Sequence, residues 1–185
     1  VGVNPLRGQN NVQGSCDMGS FPHEVSGYRH VSEDATRAMF ESLWGRPLDE
    51  EPGLRIPNMI DAALDGSFKG LYIQGEDILQ SDPNTQHMAA GLAAMECVVV
   101  QDLFLVETAN YAHVFLPGST FLEKTGTFTN AERRIQMVRK VMTPKNGYED
   151  WQITCLLSNA LGYPMNYNNP SEIMDEIAAL TPTFA

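Results

Sequence analysis

Two short apolar runs, each followed at once by polar residues, constrain the fold of this chain more than any other feature. The runs Lys69 to Gln74 and Cys97 to Val100 are typical of buried strands in a parallel sheet. A helical segment lies between them, from a cap at Ser81-Asp82-Pro83 to about Met95, and Val114 to Leu116 follows as a third strand. This alternation predicts an α/β fold, a doubly wound, mostly parallel sheet with flanking helices.

The residues that follow the first two strands are candidates for a binding site. Gly75, Glu76 and Asp77 come after the first strand, and Gln101 and Asp102 end the second. Ligands of such sheets bind beyond the carboxyl ends of the strands, where a carboxylate can accept from ribose hydroxyls or from the edge of guanine. The alternative is that strand ends are polar simply because they leave the core. The chain has no glycine-rich dinucleotide fingerprint and no Walker motif, so an ordinary NAD or ATP site is not indicated.

A polar run near the start, Asn4 to Gly14, combines one arginine with five carboxamides, two glycines and a proline. These residue types predict a loop rather than a helix or a strand. Arg7 offers a planar fork of donors that fits a carboxylate or a phosphate, and Gly8 and Gly14 allow the main chain to approach a ligand closely. An ordinary solvated surface turn is the alternative.

Four stretches of the sequence resemble the molybdenum- or tungsten-dependent formate dehydrogenases, within the molybdopterin-guanine-dinucleotide oxidoreductases. VNPLRGQNNVQGSCDMG resembles the active-site loop of that family, GEDILQSD and VVVQD resemble segments around the guanosine end of one pterin dinucleotide, and GTFTNAERRIQ is a further match. The sequence departs from the family pattern at Ile78, where proline is usual, and at His113, where aspartate is usual. The resemblance covers essentially the whole chain but only the middle of the family's catalytic subunit, so we expect an internal fragment.

The resemblance implies a set of site residues and a cofactor. Arg7 and Gln9 are the implied catalytic residues, because they would orient formate beside the metal. The implied cofactor-binding residues are Gly75, Asp77, Ser81, Gln101, Asp102 and Asp150. For Asp150, an acidic residue at a helix start is a sufficient alternative explanation. The implied cofactor is bis-molybdopterin guanine dinucleotide with molybdenum or tungsten. The metal ligand and an iron–sulfur cluster would lie upstream in the parent protein, so no metal ligand is assigned in this chain.

The implied reaction oxidises formate to carbon dioxide, and the implied partners are the rest of the catalytic subunit and a redox partner subunit or carrier. Two alternatives stay open. One is a nucleotide- or pterin-binding module that performs no chemistry. The other is an oxidoreductase of the same cofactor family that acts on a different small substrate.

Four segments are predicted along the chain. They are an active-site loop at 1–20, a Rossmann-like pterin-dinucleotide-binding domain at 21–121, a short β ribbon at 122–148, and a helical segment at 149–185 that packs on neighbouring domains of the full subunit. The last segment contains C-terminal helices, one of them from Ser171 to Leu180. A helix after Ser32 is predicted to bury a face formed by Ala35, Met39, Phe40 and Leu43.

Composition excludes several classes of protein. A net charge of −11 argues against nucleic acid as a partner, and the sequence contains no run of about 18 apolar residues that would predict a membrane span. Three widely spaced cysteines form no disulfide framework, which predicts a reducing, cytoplasmic location. Cys97 is predicted to be buried, because it opens an apolar run.

Overall fold

The structure is a computed structural model that describes residues 8–184. Its contacts divide the chain into two compact units. One unit, the sheet unit, comprises Leu54–Lys124 and Lys140–Thr154. The other, the ribbon unit, comprises the residues up to Gly53, Thr125–Arg139 and the residues from Cys155 onward. These units do not coincide with the predicted boundaries after residues 20, 121 and 148, which stay predictions.

The helices and strands follow one another in a mixed α/β order. The α-helices of the described residues are α1 Val12–Asp17, α2 Asp34–Trp44, α3 Ile56–Leu64, α4 Ile78–Ser81, α5 Thr85–Ala94, α6 Asp150–Ala160 and α7 Pro170–Leu180. The strands are β1 Glu24–Val25, β2 Arg29–His30, β3 Gly70–Gln74, β4 Cys97–Asp102, β5 Val114–Pro117, β6 Gly126–Thr129 and β7 Ile135–Val138. Short 3-10 helices span Glu107–Tyr111 and Pro182–Phe184.

In the sheet unit, β3, β4 and β5 form a parallel sheet with β4 in the centre. The central strand is rich in β-branched valine, which favours a pleated, buried surface, and Val98 and Val100 are fully buried. Helices α3 and α5 pack closely, with Gly91 of α5 directly against Ile60 of α3. The core combines apolar residues from the sheet and the helices, namely Ile60, Ala63, Ile73, Ile78, Leu79, Met88, Leu92, Met95, Val98 and Val100. The predicted α/β fold with a parallel sheet and flanking helices is confirmed.

The ribbon unit contains two small antiparallel pairs and the C-terminal helices. Strands β1 and β2 form a hairpin, and β6 pairs with β7 so that Gly126 lies opposite Val138 and Thr129 opposite Ile135. Helix α7 begins after Asn169. The Asn169 side chain accepts hydrogen bonds from the backbone amides of Ser171 and Glu172, which have no acceptor within the helix. The predicted ribbon and C-terminal helices are therefore present.

Three sequence expectations need correction. The polar run is not a loop throughout, because Val12–Asp17 is helical after Asn11 turns the backbone into the left-handed region. Helix α2 buries Thr36 and Phe40, whereas Ala35 is exposed and Met39 and Leu43 are about half exposed, so the buried stripe lies one position C-terminal to the line through Ala35, Met39 and Leu43. Cys97 is exposed, because it is the first residue of its strand, where the chain enters the sheet.

The helix predicted to begin at Ser81-Asp82-Pro83 is also arranged differently. The chain forms two helices there, α4 and α5, because Asp82 is extended before Pro83. The side chain of Asn84 caps α5 by accepting a hydrogen bond from the His87 amide.

Candidate functional site

The carboxyl edge of the parallel sheet is built by the residues at which β3, β4 and β5 end. Backbone hydrogen bonds continue to this edge, from the Gly75 amide to the Gln101 carbonyl and from the Gly118 amide to the Asp102 carbonyl, both at 2.9 Å. Gly75 has a φ of 64°, which favours glycine. Within residues 8–184, no atom outside Gly75 and its two chain neighbours lies within 4 Å of the position that a Cβ would take at Gly75. The described residues therefore leave open space at this point.

Asp77 connects the end of β3 to the 3-10 helix that follows β4. Its carboxylate accepts hydrogen bonds from the Glu107 amide at 3.2 Å, the Thr108 amide at 3.1 Å and the Thr108 hydroxyl at 2.6 Å. Thr108 is fully buried, and its hydroxyl oxygen also accepts from the Leu79 amide at 3.2 Å. Asp77 thus organises the edge, and three of the acceptor positions on its carboxylate are already used.

Ser81 and Asp102 lie at the accessible part of this edge. Ser81 is exposed, and its hydroxyl donates to the carboxylate of Glu76. Asp102 is partly exposed, and one of its carboxylate oxygens accepts from the Leu103 amide at 2.6 Å. A carboxylate has more acceptor positions than this single bond uses. Both side chains can therefore contribute polar groups to a bound molecule.

Gln101 and Asp150 form hydrogen bonds with neighbouring side chains of the sheet unit, and their contact with a cofactor stays a prediction. Gln101 is 1% exposed, and its amide nitrogen donates to an Asp150 carboxylate oxygen at 2.8 Å while its oxygen accepts from the Tyr72 hydroxyl. Asp150 also accepts from the Ser119 amide at 2.9 Å and from the ammonium of Lys124. We call Tyr72, Gln101, Ser119, Lys124 and Asp150 the edge network. The polar groups of the edge network form hydrogen bonds with one another beneath the carboxyl edge.

The charge state of Asp150 follows from this network. Burial alone would raise the pKa of Asp150, but hydrogen bonds from Lys124, Ser119 and Gln101, together with the Lys124 charge, outweigh it and lower the pKa. The carboxylate therefore stays ionised at neutral pH. Burial, and then the nearby Asp150 charge, raise the pKa of Tyr72, so its hydroxyl remains a donor.

Sequence reasoning missed the residues that hold these candidates in place. Thr108, Tyr72, Ser119 and Lys124 have no pattern that marks them, because their role depends on which strand ends meet in space. One signal was available for Ser119, which follows directly after β5 and Gly118, as polar residues follow the other two strands. The same rule that selected Asp77 and Asp102 therefore applies to Ser119.

The second candidate region is the start of the ribbon unit. Arg7, the implied catalytic arginine, lies outside the described residues. Gln9 is exposed, and the chain then passes through Asn11, which has a φ of 59°, into helix α1. The catalytic role of Gln9 stays a prediction.

The residues at the carboxyl edge fit the nucleoside end of a pterin dinucleotide. Gly75 leaves open space, and Asp77, Ser81 and Asp102 supply carboxylates and a hydroxyl, which suit ribose hydroxyls and the donor groups of guanine. The six cofactor candidates include no cation, and Lys124 is occupied by Asp150 and the Ser119 carbonyl. The set therefore suits the nucleoside rather than the phosphates.

Comparison with known proteins identifies the family. The model of the molybdopterin oxidoreductase family matches residues 4–160, and the chain belongs to this family. It is 47% identical, over its whole length, to the F420-dependent formate dehydrogenase subunit alpha of Methanocaldococcus jannaschii, of which it covers 27%. It is 45% identical, again over its whole length, to the Bacillus subtilis protein named "Putative formate dehydrogenase YrhE", of which it covers 19%.

A solved structure supports the fold. Acetylene hydratase from Pelobacter acetylenicus matches 82% of this chain with a TM-score of 0.61 and 19% sequence identity, and the match covers 22% of that protein. The chain thus spans about a fifth to a quarter of the length of the proteins that it resembles. Within residues 8–184, every helix is too short or too polar to span a lipid bilayer.

Proposed function

We propose that this chain is part of the catalytic subunit of a formate dehydrogenase that oxidises formate to carbon dioxide. The observation that carries the proposal is the 47% identity, over the entire chain, to a protein named as the alpha subunit of a formate dehydrogenase. The carboxyl edge supports it, because its accessible residues have the chemistry that a nucleoside needs. The name "subunit alpha" also supports the expectation of a redox partner subunit or carrier.

In the proposed substrate site, Arg7 binds the formate carboxylate. A guanidinium presents two parallel donors in a plane, which matches the two oxygens of a carboxylate, and it remains protonated at any working pH. Gln9 supplies a further amide donor from an exposed position two residues away. Together they would hold formate in one orientation, which lowers the barrier by removing rotational and translational freedom before the reaction.

In the proposed cofactor site, Gly75, Asp77, Ser81 and Asp102 hold the guanosine end of a molybdopterin guanine dinucleotide. Gln101 and Asp150 support this edge from beneath. The bound group, with molybdenum or tungsten, would supply the two-electron chemistry that converts formate to carbon dioxide and a proton. An iron–sulfur cluster elsewhere in the parent protein would receive the electrons.

The proposal is tested by Arg7→Lys in the complete parent protein, assayed by formate-dependent reduction of a viologen dye. Lysine keeps the positive charge but loses the planar fork, so we expect kcat/KM for formate to fall by about a hundredfold. Arg139→Lys is the matched control, because Arg139 is exposed on the ribbon unit, and it should leave the kinetics unchanged.

Two outcomes would contradict the proposal. Unchanged formate kinetics in Arg7→Lys would remove Arg7 from the substrate site. A parent protein that binds the pterin cofactor but reduces no dye with formate would favour an oxidoreductase for another small substrate, or a binding module that performs no chemistry.

A further inference from the structure

The side chain of Asn11 joins the polar segment that carries Gln9 to a strand far along the chain. Its carboxamide oxygen accepts a hydrogen bond from the Thr129 amide at 2.9 Å, although 118 positions separate the two residues. Thr129 is the last residue of β6 and is 8% exposed. The contact therefore anchors the N-terminus of α1 to the ribbon formed by β6 and β7.

Both the backbone and the side chain at this position favour asparagine. The φ of 59° places Asn11 in the left-handed region, where asparagine, aspartate and glycine are the tolerated residues. Of these three, only asparagine and aspartate carry an oxygen that can accept from the Thr129 amide. Glycine would keep the backbone and lose the anchor.

Gly14 provides the space in which the Asn11 carboxamide lies. A Cβ at Gly14 would lie 2.3 Å from the Asn11 oxygen, and the next nearest atoms, at 3.1 and 3.3 Å, also belong to the Asn11 carboxamide. Gly14 is buried within α1, where alanine is ordinarily the better helix former. The absence of a side chain at Gly14 is therefore explained by the Asn11 side chain rather than by the helix.

We propose that Asn11 is a positioning residue for the substrate site, and that Gly14 makes its position possible. Asn11 fixes the end of the segment that carries Gln9, which lies two residues before it in the sequence. This inference rests on the proposed function, because it assigns Asn11 the task of holding formate-binding groups in place. It predicts that loss of one remote hydrogen bond impairs formate use while the rest of the enzyme remains intact.

The test uses three single variants and one double variant of the complete parent protein. Asn11→Gly removes the acceptor, Asn11→Asp keeps it, and Gly14→Ala pushes the carboxamide away. The double variant combines Asn11→Gly with Gly14→Ala. The measurements are steady-state kinetics with formate and a viologen dye, metal content, and hydrogen exchange at the peptide that contains the Thr129 amide.

For Asn11→Gly and Gly14→Ala we expect kcat/KM for formate to fall about tenfold or more, with an unchanged KM for the dye and unchanged metal content. The peptide with the Thr129 amide should exchange faster in both variants. Asn11→Asp should keep kcat/KM for formate within about twofold of the wild-type value, because an acceptor remains. Adding Gly14→Ala to Asn11→Gly should change little, since the obstructed carboxamide is then absent.

Several results would overturn the inference. Faster exchange in Asn11→Gly with unchanged formate kinetics would show a contact that stabilises the ribbon and nothing more. Unchanged exchange in Asn11→Gly would show that the hydrogen bond is not used. A wild-type parent that oxidises no formate would refute the proposed function and, with it, the role of Asn11. An active wild type with an unaffected Asn11→Gly variant would refute only the role of Asn11.

Discussion

Replacement of Lys124 by methionine tests the edge network most directly. The Lys124 ammonium contacts the Asp150 carboxylate and donates to the Ser119 carbonyl at 3.1 Å. The Asp150 side chain is 16% exposed and the Lys124 side chain 32% exposed. Methionine keeps the unbranched, flexible shape of the side chain and removes the charge. The substitution therefore leaves a largely buried carboxylate without its cation.

The expected cost is intermediate between that of a surface ion pair and that of a buried one. A hydrogen bond to a charged group contributes about 1.5–3 kcal/mol, whereas an exposed ion pair contributes about 0–1 kcal/mol. Asp150 keeps the donors from Gln101 and Ser119, and water reaches part of the site. We therefore expect Lys124→Met to lower the free energy of local opening by about 2 kcal/mol. This change corresponds to hydrogen exchange that is about 30-fold faster.

The effect should depend on pH in a defined direction. In the wild type, the folded-state pKa of Asp150 lies below its ordinary value of 3.8, so its stabilising contribution is present above about pH 4 and is lost as the pH falls through the folded pKa. Without Lys124, the hydrogen bond and the charge that lower the pKa of Asp150 are lost, so its carboxyl group binds a proton at a higher pH than in the wild type. The difference between wild type and variant should therefore be smaller at pH 4 than at pH 7.

The assay is hydrogen exchange of the peptides that contain Ser119 and the start of α6, in the complete parent protein. Lys69→Met is the matched control, because Lys69 pairs with Glu96 at 2.8 Å while both side chains are about two thirds exposed. It should change local exchange by less than about threefold. Equal effects of the two substitutions, or an effect of Lys124→Met that is the same at both pH values, would refute the reasoning.

Two further predictions concern stability of the sheet unit in the parent protein. Thr108→Val should lower the free energy of local opening by about 2 kcal/mol, because the Asp77 carboxylate and the Leu79 amide each lose a partner. Local hydrogen exchange measures this loss. An equal loss in Thr108→Ser, which keeps the hydroxyl, would contradict the prediction. Gly91→Ala should cost about 1–3 kcal/mol despite the better helix propensity of alanine, because its Cβ would lie 2.6 Å from Ile60 Cγ2. Additive effects of Gly91→Ala and Ile60→Ala in local exchange would argue against that clash.

The architecture of the sheet unit could be predicted because its signals are local. Short apolar runs rich in β-branched residues specify strands wherever they pair, and β4 begins at Cys97 as expected. Helix α2 shows the limit of such patterns. Met39 and Leu43 match helical spacing as well as Phe40 does, but only packing against neighbouring residues such as Arg29, whose guanidinium lies over the Phe40 ring at 4.8 Å, decides which face is buried.

For a related physical reason, the sequence could not show which of the site candidates are buried. The sequence shows that Asp102 and Gln101 are adjacent at a strand end, but adjacent side chains of a strand point to opposite faces. Gln101 is directed into the core, where Tyr72 and Asp150 satisfy it, while Asp102 remains partly exposed. Asp150 lies 49 positions from Gln101, and no periodicity in the sequence connects the two.

This division at the carboxyl edge changes how substitutions there should be interpreted. Ser81 is exposed and Asp102 is partly exposed, so under the proposed function their replacement would alter contacts with the bound nucleoside directly. Replacement of Gln101 or Asp150 would leave largely buried groups without a hydrogen-bond partner and displace the edge itself, because both residues belong to one hydrogen-bond network. Weaker cofactor binding with unchanged local exchange would therefore indicate direct contact, whereas weaker binding with faster exchange around Ser119 would indicate loss of support from beneath.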